Sequence, residues 1–311
     1  MIMEASNETP DEAFDATGTN LPLRSYDLVG ERSRETQHFA LESRLTIRST
    51  SGKLKSLDTF RQFLLVTPGD PLDGEADRLT CSRFSIQRGD DPEVGIPSLE
   101  GFSYEVNREL LDENGIDDEG RLYGIPEELF EGLTDSTGEK LSFEIGYQVY
   151  SVFFYYHGYT DYAVPTPQGK GVQDLERVGD KIVHDAAFAE SPIPGKLAKK
   201  GSVWKNGEVT LEFKGLETIE QRPCAVLSFD SGTCSWSMPM NYMPVMNLKT
   251  TGVSNYRGDI HLDLESKLVK KVEMILSETT ATTMWGIPVN KSVPTTNLTI
   301  KAISQEDFDK G

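Results

Sequence analysis

The chain has 311 residues, 37% of them hydrophobic, enough for one large domain or two small ones. Its 50 acidic and 31 basic side chains leave a net charge of −19, which argues against the phosphate backbone of nucleic acid and against an anionic membrane surface as partners. There is no apolar run of about 18 residues to form a transmembrane helix, and the three cysteines lie outside any C-x-x-C pair, which gives no support to zinc or thioredoxin-like chemistry.

Residues 1–33 are acidic, small and polar. They cannot bury enough apolar surface to offset the entropy of ordering, so a disordered tail is expected. Met1-Ile-Met3 has neither the basic region nor the apolar core of a signal peptide. Tails of this kind often tether exported domains, so an extracytoplasmic location is preferred even without a leader. From Thr36 to Arg48 the chain alternates: Phe39, Leu41, Leu45 and Ile47 take one face, and Glu42, Arg44, Thr46 and Arg48 the other. That is the period of a half-buried strand. Ser51-Gly52-Lys53 is a turn, Leu57 to Val66 the returning strand, and Arg78 to Arg88 a third strand anchored by Phe84 and Ile86.

Asp90 to Gly101 is a Pro/Gly-rich loop, Tyr104 to Leu111 fits either a strand or a helix, and Asp112 to Gly120 is an acidic loop. Pro126 to Leu133 predicts a short helix, with proline at its start and acids in its first turn. Between Leu141 and His157 two templates compete. Strict alternation holds only in the first half, whereas a helical period puts Glu144, Gln148, Ser151 and Tyr155 on one polar stripe throughout. An aromatic-rich helix packed on a sheet is preferred. Val164 to Gly169 and Ser191 to Gly195 read as connectors.

Gly201 to Ile303 carries the clearest strand pattern. After an Asn206-Gly207 turn, Val209, Leu211 and Phe213 share one face. Cys224 to Asp230 is apolar on both faces, as a central strand is, and Ser231-Gly232 turns it into Thr233 to Met238. That turn sets Cys234 opposite Phe229 rather than Cys224, so free, buried thiols are expected. Met238, Met240, Met243 and Met246 cluster around Pro239 and Pro244, a composition that fills core under a loop more often than it lines an adaptable surface. Tyr256 to Glu265 sets Ile260, Leu262 and Leu264 against Asp259, His261, Asp263 and Glu265. Val269 to Leu276 then returns antiparallel, with Val272, Met274 and Leu276 inward, and Asn297 to Ile303 closes the set with Leu298, Ile300 and Ala302 inward.

Nothing spells out a catalytic centre. A G-x-S-x-G elbow, a Walker loop and a dinucleotide fingerprint are absent, and no cofactor is implied. The Asp112 loop departs from the calcium template, with Ile116, Asp117 and Tyr123 where a ligand, a glycine and a glutamate belong. The constellation best suited to acid–base or metal chemistry is His261 flanked by Asp259 and Asp263 on one strand face, which is more often simply solvated.

Gly201 to Gly215, Cys224 to Gly232 and Asn255 to Leu264 resemble uncharacterised β-rich bacterial proteins, often exported, similar in style to the curved half-barrels of lipoprotein carriers. The resemblance covers the last hundred residues or so and rests on turns and strands. It implies acyl-chain binding in the concave face of the sheet and assigns no functional residue.

The expectation is an α+β protein, mostly antiparallel β: a curved sheet, half-barrel or two-layer meander packed by one or two helices. Residues 34–308 form one domain whose meander halves, 34–135 and 195–304, are joined by a helical and loop segment. The function expected is non-enzymatic binding or structural, with an apolar small molecule or lipid held between sheet and helix by Phe143, Tyr147, Phe154, Trp236, Met240 and Trp285. Two alternatives stand. One is a metal-dependent or hydrolase-like enzyme using His261 with Asp259 and Asp263; the other is a protein-interaction module of a cell-envelope assembly.

Overall fold

A computed structural model describes residues 13–14, 20–21, 24–111, 117–118, 121, 123–166, 171–185, 203–205, 208–243 and 246–310. Thirteen strands make one open, curved antiparallel sheet. In chain order they are β1 Gln37–Arg48, β2 Leu54–Thr67, β3 Asp77–Arg88, β4 Val94–Gly95, β5 Ser103–Val106, β6 Lys181–Asp185, β7 Val203–Lys205, β8 Glu208–Ile219, β9 Arg222–Asp230, β10 Cys234–Met243, β11 Met246–Asp263, β12 Val269–Met284 and β13 Ile287–Ile303. Helices α1 Phe143–Phe153, α2 Tyr155–Thr160 and α3 Gln305–Lys310 accompany the sheet, and a separate two-residue ladder pairs Ala13–Phe14 with Asn20–Leu21. The sheet order is β4-β3-β2-β1-β13-β12-β11-β9-β8-β6; β10 pairs with β11 and β7, and β5 with β3.

The N-terminal and C-terminal meanders join edge to edge. β13 pairs with β1 from Val293↔Arg48 to Ile303↔His38, so the last strand completes the first. Both path ends are short strands, β4 and β6, which offer little template for a further strand. The three longest strands, β11, β12 and β13, run 18, 16 and 17 residues, well past the apolar alternation that announces them. Their extensions are rich in threonine, which suits a pleated backbone without supplying an apolar face.

From Phe143 onward the segment Leu141 to His157 is helical, as the 3.6 period indicates, with a break at Phe154 between α1 and α2. The Ser142 hydroxyl caps α1 by accepting from the Ile145 N–H at 3.3 Å. Its aromatic face crosses the inner side of the sheet. Phe153 stacks on Phe84 of β3 at 6.5 Å between ring centroids, Tyr156 meets Phe39 of β1 at 5.1 Å, and Tyr159 stacks on Phe229 of β9 at 5.6 Å. Six helical residues rise only about 9 Å. β3 and β9 are six strand spacings apart, about 29 Å if the sheet were flat. The sheet therefore curls around the helical plug, and register breaks at Phe63/Leu64, Phe213/Gly215 and His261/Leu262 provide local twist. Each large plug side chain buried here contributes about 1.5–3 kcal/mol.

A buried ion network fixes the plug to the N-terminal half. Asp77, 1% exposed, holds Arg32 at 2.9 Å and Arg108 at 3.0 Å, and Arg108 also reaches Asp161 at 2.7 Å. His157 of α2 bonds Tyr104 Oη through Nε2 at 3.1 Å. Burial works to raise the Asp77 and Asp161 carboxyls, but the Arg108 guanidinium, helped by Arg32 at Asp77 and by His157 at Asp161, holds both below the usual carboxylate range. Contacts of this kind also hold described residues ahead of the expected boundary at residue 34. Arg32 is a member of the network, Leu28 is buried, and Tyr26 packs edge-on against Phe213 at 5.6 Å. The rest of the expected tail lies mostly outside the described residues, as does most of the Asp112 loop.

Candidate functional site

The inner face of β11, β12 and β13 changes chemistry along its length. Near the plug the inward positions are Tyr256, Ile260 and Leu262 on β11, Val272 and Met274 on β12, and Leu298 and Ile300 on β13, all buried. Farther along the same strands the inward positions are mostly hydroxylated, with Glu278, Gly252 and Asn290 among them. Register aligns them in rows. Cys234, Ser254 and Glu278 form the first, Trp236, Gly252, Thr280 and Ser292 the second, and Thr250, Thr282 and Asn290 the third. Thr250 and Thr282 hydroxyls lie 3.0 Å apart, and those of Thr280 and Ser292 2.8 Å. Ser254 Oγ is buried with no hydrogen-bond partner.

Glu278 is the acidic group of this floor. It keeps some solvent contact, yet enough protein surrounds it that burial alone pushes its carboxyl up to about 7. The side chain thus sits near half-protonation at neutral pH, able to donate or accept a hydrogen bond. Its neighbours are phenols: Tyr155 and Tyr159 both feel its charge, and Tyr155 bonds Thr296. Trp236 supplies the apolar part of the floor. Its indole lies directly on Gly252, where a Cβ would come within 2.3 Å of the ring. Only glycine leaves room for the ring to lie flat against the strand.

The residues expected to line a pocket come from separate elements: Phe143, Tyr147 and Phe154 in and just after α1, Trp236 and Met240 in β10, and Trp285 at the β12–β13 turn. Phe154 is buried in a filled aromatic cluster with Tyr123, Phe130 and Tyr150. Tyr147 lies on α1 and Trp236 on the hydroxylated floor, both partly buried. Met240 of β10 pairs with Leu248, which pairs with Met284 beside Trp285, so Met240 and Trp285 mark the same end of the sheet. Trp285 itself is 61% exposed at the β12–β13 turn. The side chains of Phe143 and Met240 fall outside the described part.

The His261 constellation does not converge either. His261 Nε2 lies 2.8 Å from Glu217, whose side chain is exposed, on the outer face of the sheet. Asp259 bonds Ser228, and buried Asp263 caps the β11–β12 turn by accepting from the Glu265 and Ser266 N–H groups while pairing with Arg222 at 3.2 Å. Each carboxylate is committed to another partner. Among the described residues no group of three His, Cys, Asp or Glu is placed to hold a metal ion. A trough of about 680 Å³ also crosses the outer face, lined by Glu212, Lys214, Asp230, Arg257, Asp259 and Glu273. Glu212 pairs there with Lys214 at 2.8 Å, and Glu273 with Lys271 at 2.9 Å.

Sequence reasoning passes over Glu278, Ser254 and the threonine rows. The signal was present: two-residue spacing continues from Tyr256 back to Thr250 and from Leu276 on to Thr282, carried mostly by hydroxyls, with Gly252 and Glu278 among them, instead of by apolar groups. Comparison with protein-family models gives no match, and comparison with curated proteins gives none either.

Proposed function

We propose that this chain is a non-enzymatic binding protein that holds an amphipathic small molecule or lipid on the inner face of its sheet, beside the plug. One observation carries the reading: three adjacent strands exchange an apolar inner floor for a hydroxylated one while keeping the same facing. The unpartnered buried hydroxyl of Ser254 and the raised carboxyl of Glu278 beside it cost stability unless something pairs with them. A ligand headgroup with hydroxyl or amine donors would pair with Ser254, Glu278 and Thr280, and its apolar part would lie along Trp236 and the plug's edge. The space between sheet and helix is filled by aromatic side chains, so the ligand belongs next to the helix rather than beneath it. The resemblance to half-barrel carriers points to the same face. An enzymatic role for His261 with Asp259 and Asp263 finds both carboxylates held by other partners, and the carboxylate that does meet the ring, Glu217, is exposed on the outer face.

Native mass spectrometry of freshly purified protein tests the reading. A co-purifying amphiphile is expected, lost or weakened at least tenfold in Trp236→Ala and Glu278→Gln. Protein that carries no adduct and shows no change in tryptophan emission across a panel of single-chain amphiphiles would sink it.

A further inference from the structure

The β12–β13 hairpin ends in a run that no other element covers among the described residues. Residues 285–291 are all exposed, and three of them are large and apolar: Trp285 at 61%, Ile287 at 66% and Val289 at 49%. The tip is a tight turn with positive φ at Trp285 (49°) and Gly286 (82°), closed by the Met284↔Ile287 pair. Two residues of positive φ match the twist of a two-residue hairpin, so the apolar side chains are presented on a built turn. β13 loses its β1 neighbour beyond Val293↔Arg48, so the tip extends past the β1–β2 turn.

The charge around this tip runs opposite to that of the whole chain. None of the 50 acidic residues falls within 43–57, 231–258 or 279–304, the stretches that run into this end of the sheet. The bases do fall there. Lys249 stands opposite Thr283 and Lys291 opposite Ala281, both within a few residues of the tip. Lys55 bonds Asn290 at 2.8 Å and the Lys291 carbonyl at 2.9 Å, with Arg48 and Lys53 in the turn beside it. The first acid along β12 is Glu278, seven positions from Trp285, about 23 Å of strand. That is more than two Debye lengths at physiological salt. The net charge of −19, which taken as an average argues against an anionic surface, is therefore screened from whatever the tip touches.

We propose that this pole docks the protein onto an anionic membrane surface, with Trp285, Ile287 and Val289 seated among the headgroups and Lys55, Lys249 and Lys291 against the lipid phosphates. Tryptophan prefers the polar–apolar boundary, and its indole N–H keeps a partner there. Each base near an anionic leaflet strengthens binding about fivefold. A folded protein partner is a poorer fit, because a stable interface needs about 800 Å² from each side and a pointed hairpin tip offers far less. Among the described residues no helix is long and apolar enough to cross a membrane, so the contact is peripheral. The inference stands independently of the ligand proposed above.

Vesicle co-sedimentation of the full chain tests it, with phosphatidylcholine alone against phosphatidylcholine mixed with phosphatidylglycerol. Binding is expected to the mixed vesicles, falling as salt rises, with a blue shift in emission that Trp285→Phe abolishes. Ile287→Ser with Val289→Ser, and separately Lys249→Glu with Lys291→Glu, are each expected to weaken binding at least tenfold while leaving the thermal melt within a few degrees of wild type. The proposal is overturned if mixed vesicles do not bind the protein, or if the serine variant binds them as well as wild type does. Concentration-dependent dimerisation without vesicles, abolished by the serine variant, would also overturn it by assigning the tip to a second copy of the chain.

Discussion

Ser254 and Glu278 stand opposite each other on neighbouring strands, the serine hydroxyl without a partner and the glutamate raised by burial to about 7. The sign of the resulting pH dependence follows directly. The folded state holds the Glu278 proton up to about 7, whereas the unfolded chain releases it near the ordinary value of 4.5. Stability from this group is therefore complete below about pH 4.5 and declines as pH rises towards 7, by roughly 1–3 kcal/mol. Urea midpoints of wild type and Glu278→Gln at pH 5 and pH 8 provide the measurement. The variant is expected to lose that slope and to exceed wild type at pH 8; equal slopes would place Glu278 in contact with bulk water.

Asp77 and Asp161 have the opposite sign. Their carboxyls are held low by Arg108, so their contribution is present above the unfolded value near 3.8 and lost as pH falls below it. Removing one partner strands the others in a buried setting, at a cost of about 3–5 kcal/mol. Asp77→Asn and Arg108→Met are each expected to lower the unfolding free energy by that order. The double variant should cost less than the sum of the singles, because the partner left unpaired by one change is removed by the other. Additive losses in a double-mutant cycle would show that the two residues do not act as one network.

Much of the sheet was legible because its inner face keeps one rule. Phe39, Leu41 and Leu45, then Ile260 and Leu262, then Leu298 and Ile300 repeat every second residue, and all are buried. The plug was legible as a helix for a related reason: only a 3.6 period accounts for the whole of Leu141 to His157. The ion network was not legible, because Arg32, Asp77, Arg108 and Asp161 are far apart in sequence and nothing local marks them as partners. The hydroxylated floor escaped for a different reason. Threonine and serine on a strand read as wet-face residues until register shows that Thr250 and Ser254 continue the face of Tyr256. Segregated charge escaped because a whole-chain total of −19 carries no position.

Two glycines on β11 allow a graded test of how the sheet is packed. At Gly252 an added Cβ meets the Trp236 ring at 2.3 Å, and at Gly258 it meets the Glu273 backbone oxygen at 2.0 Å. A side chain can swing away, whereas a paired strand backbone cannot do so without breaking its ladder. Gly252→Ala is therefore expected to shift tryptophan emission and to cost about 1–3 kcal/mol. Gly258→Ala should cost more, with little change in emission. The reverse order in thermal melts would mean that Trp236 is locked in place by more than Gly252.

Thiol labelling can separate motion of the candidate site from motion of the core. None of the three cysteines is in a disulfide, and all are buried. Burial raises the Cys81 thiol to about 12 and the Cys224 thiol to about 11, so neither supplies much thiolate at pH 8. Native protein is expected to be silent to an aromatic disulfide reagent, and three equivalents should react once urea unfolds it. At intermediate urea the order is informative. Cys81 belongs to β3 under the plug, whereas Cys234 begins β10 and stands opposite Ser254 in the first row of the hydroxylated floor. If that floor opens without unfolding the plug, Cys234 reacts first and an occupying amphiphile slows it selectively. If Cys81 and Cys234 become reactive together at every urea concentration, the floor and the core open as one unit, and any ligand there must enter through global unfolding, which a reversible carrier could not use.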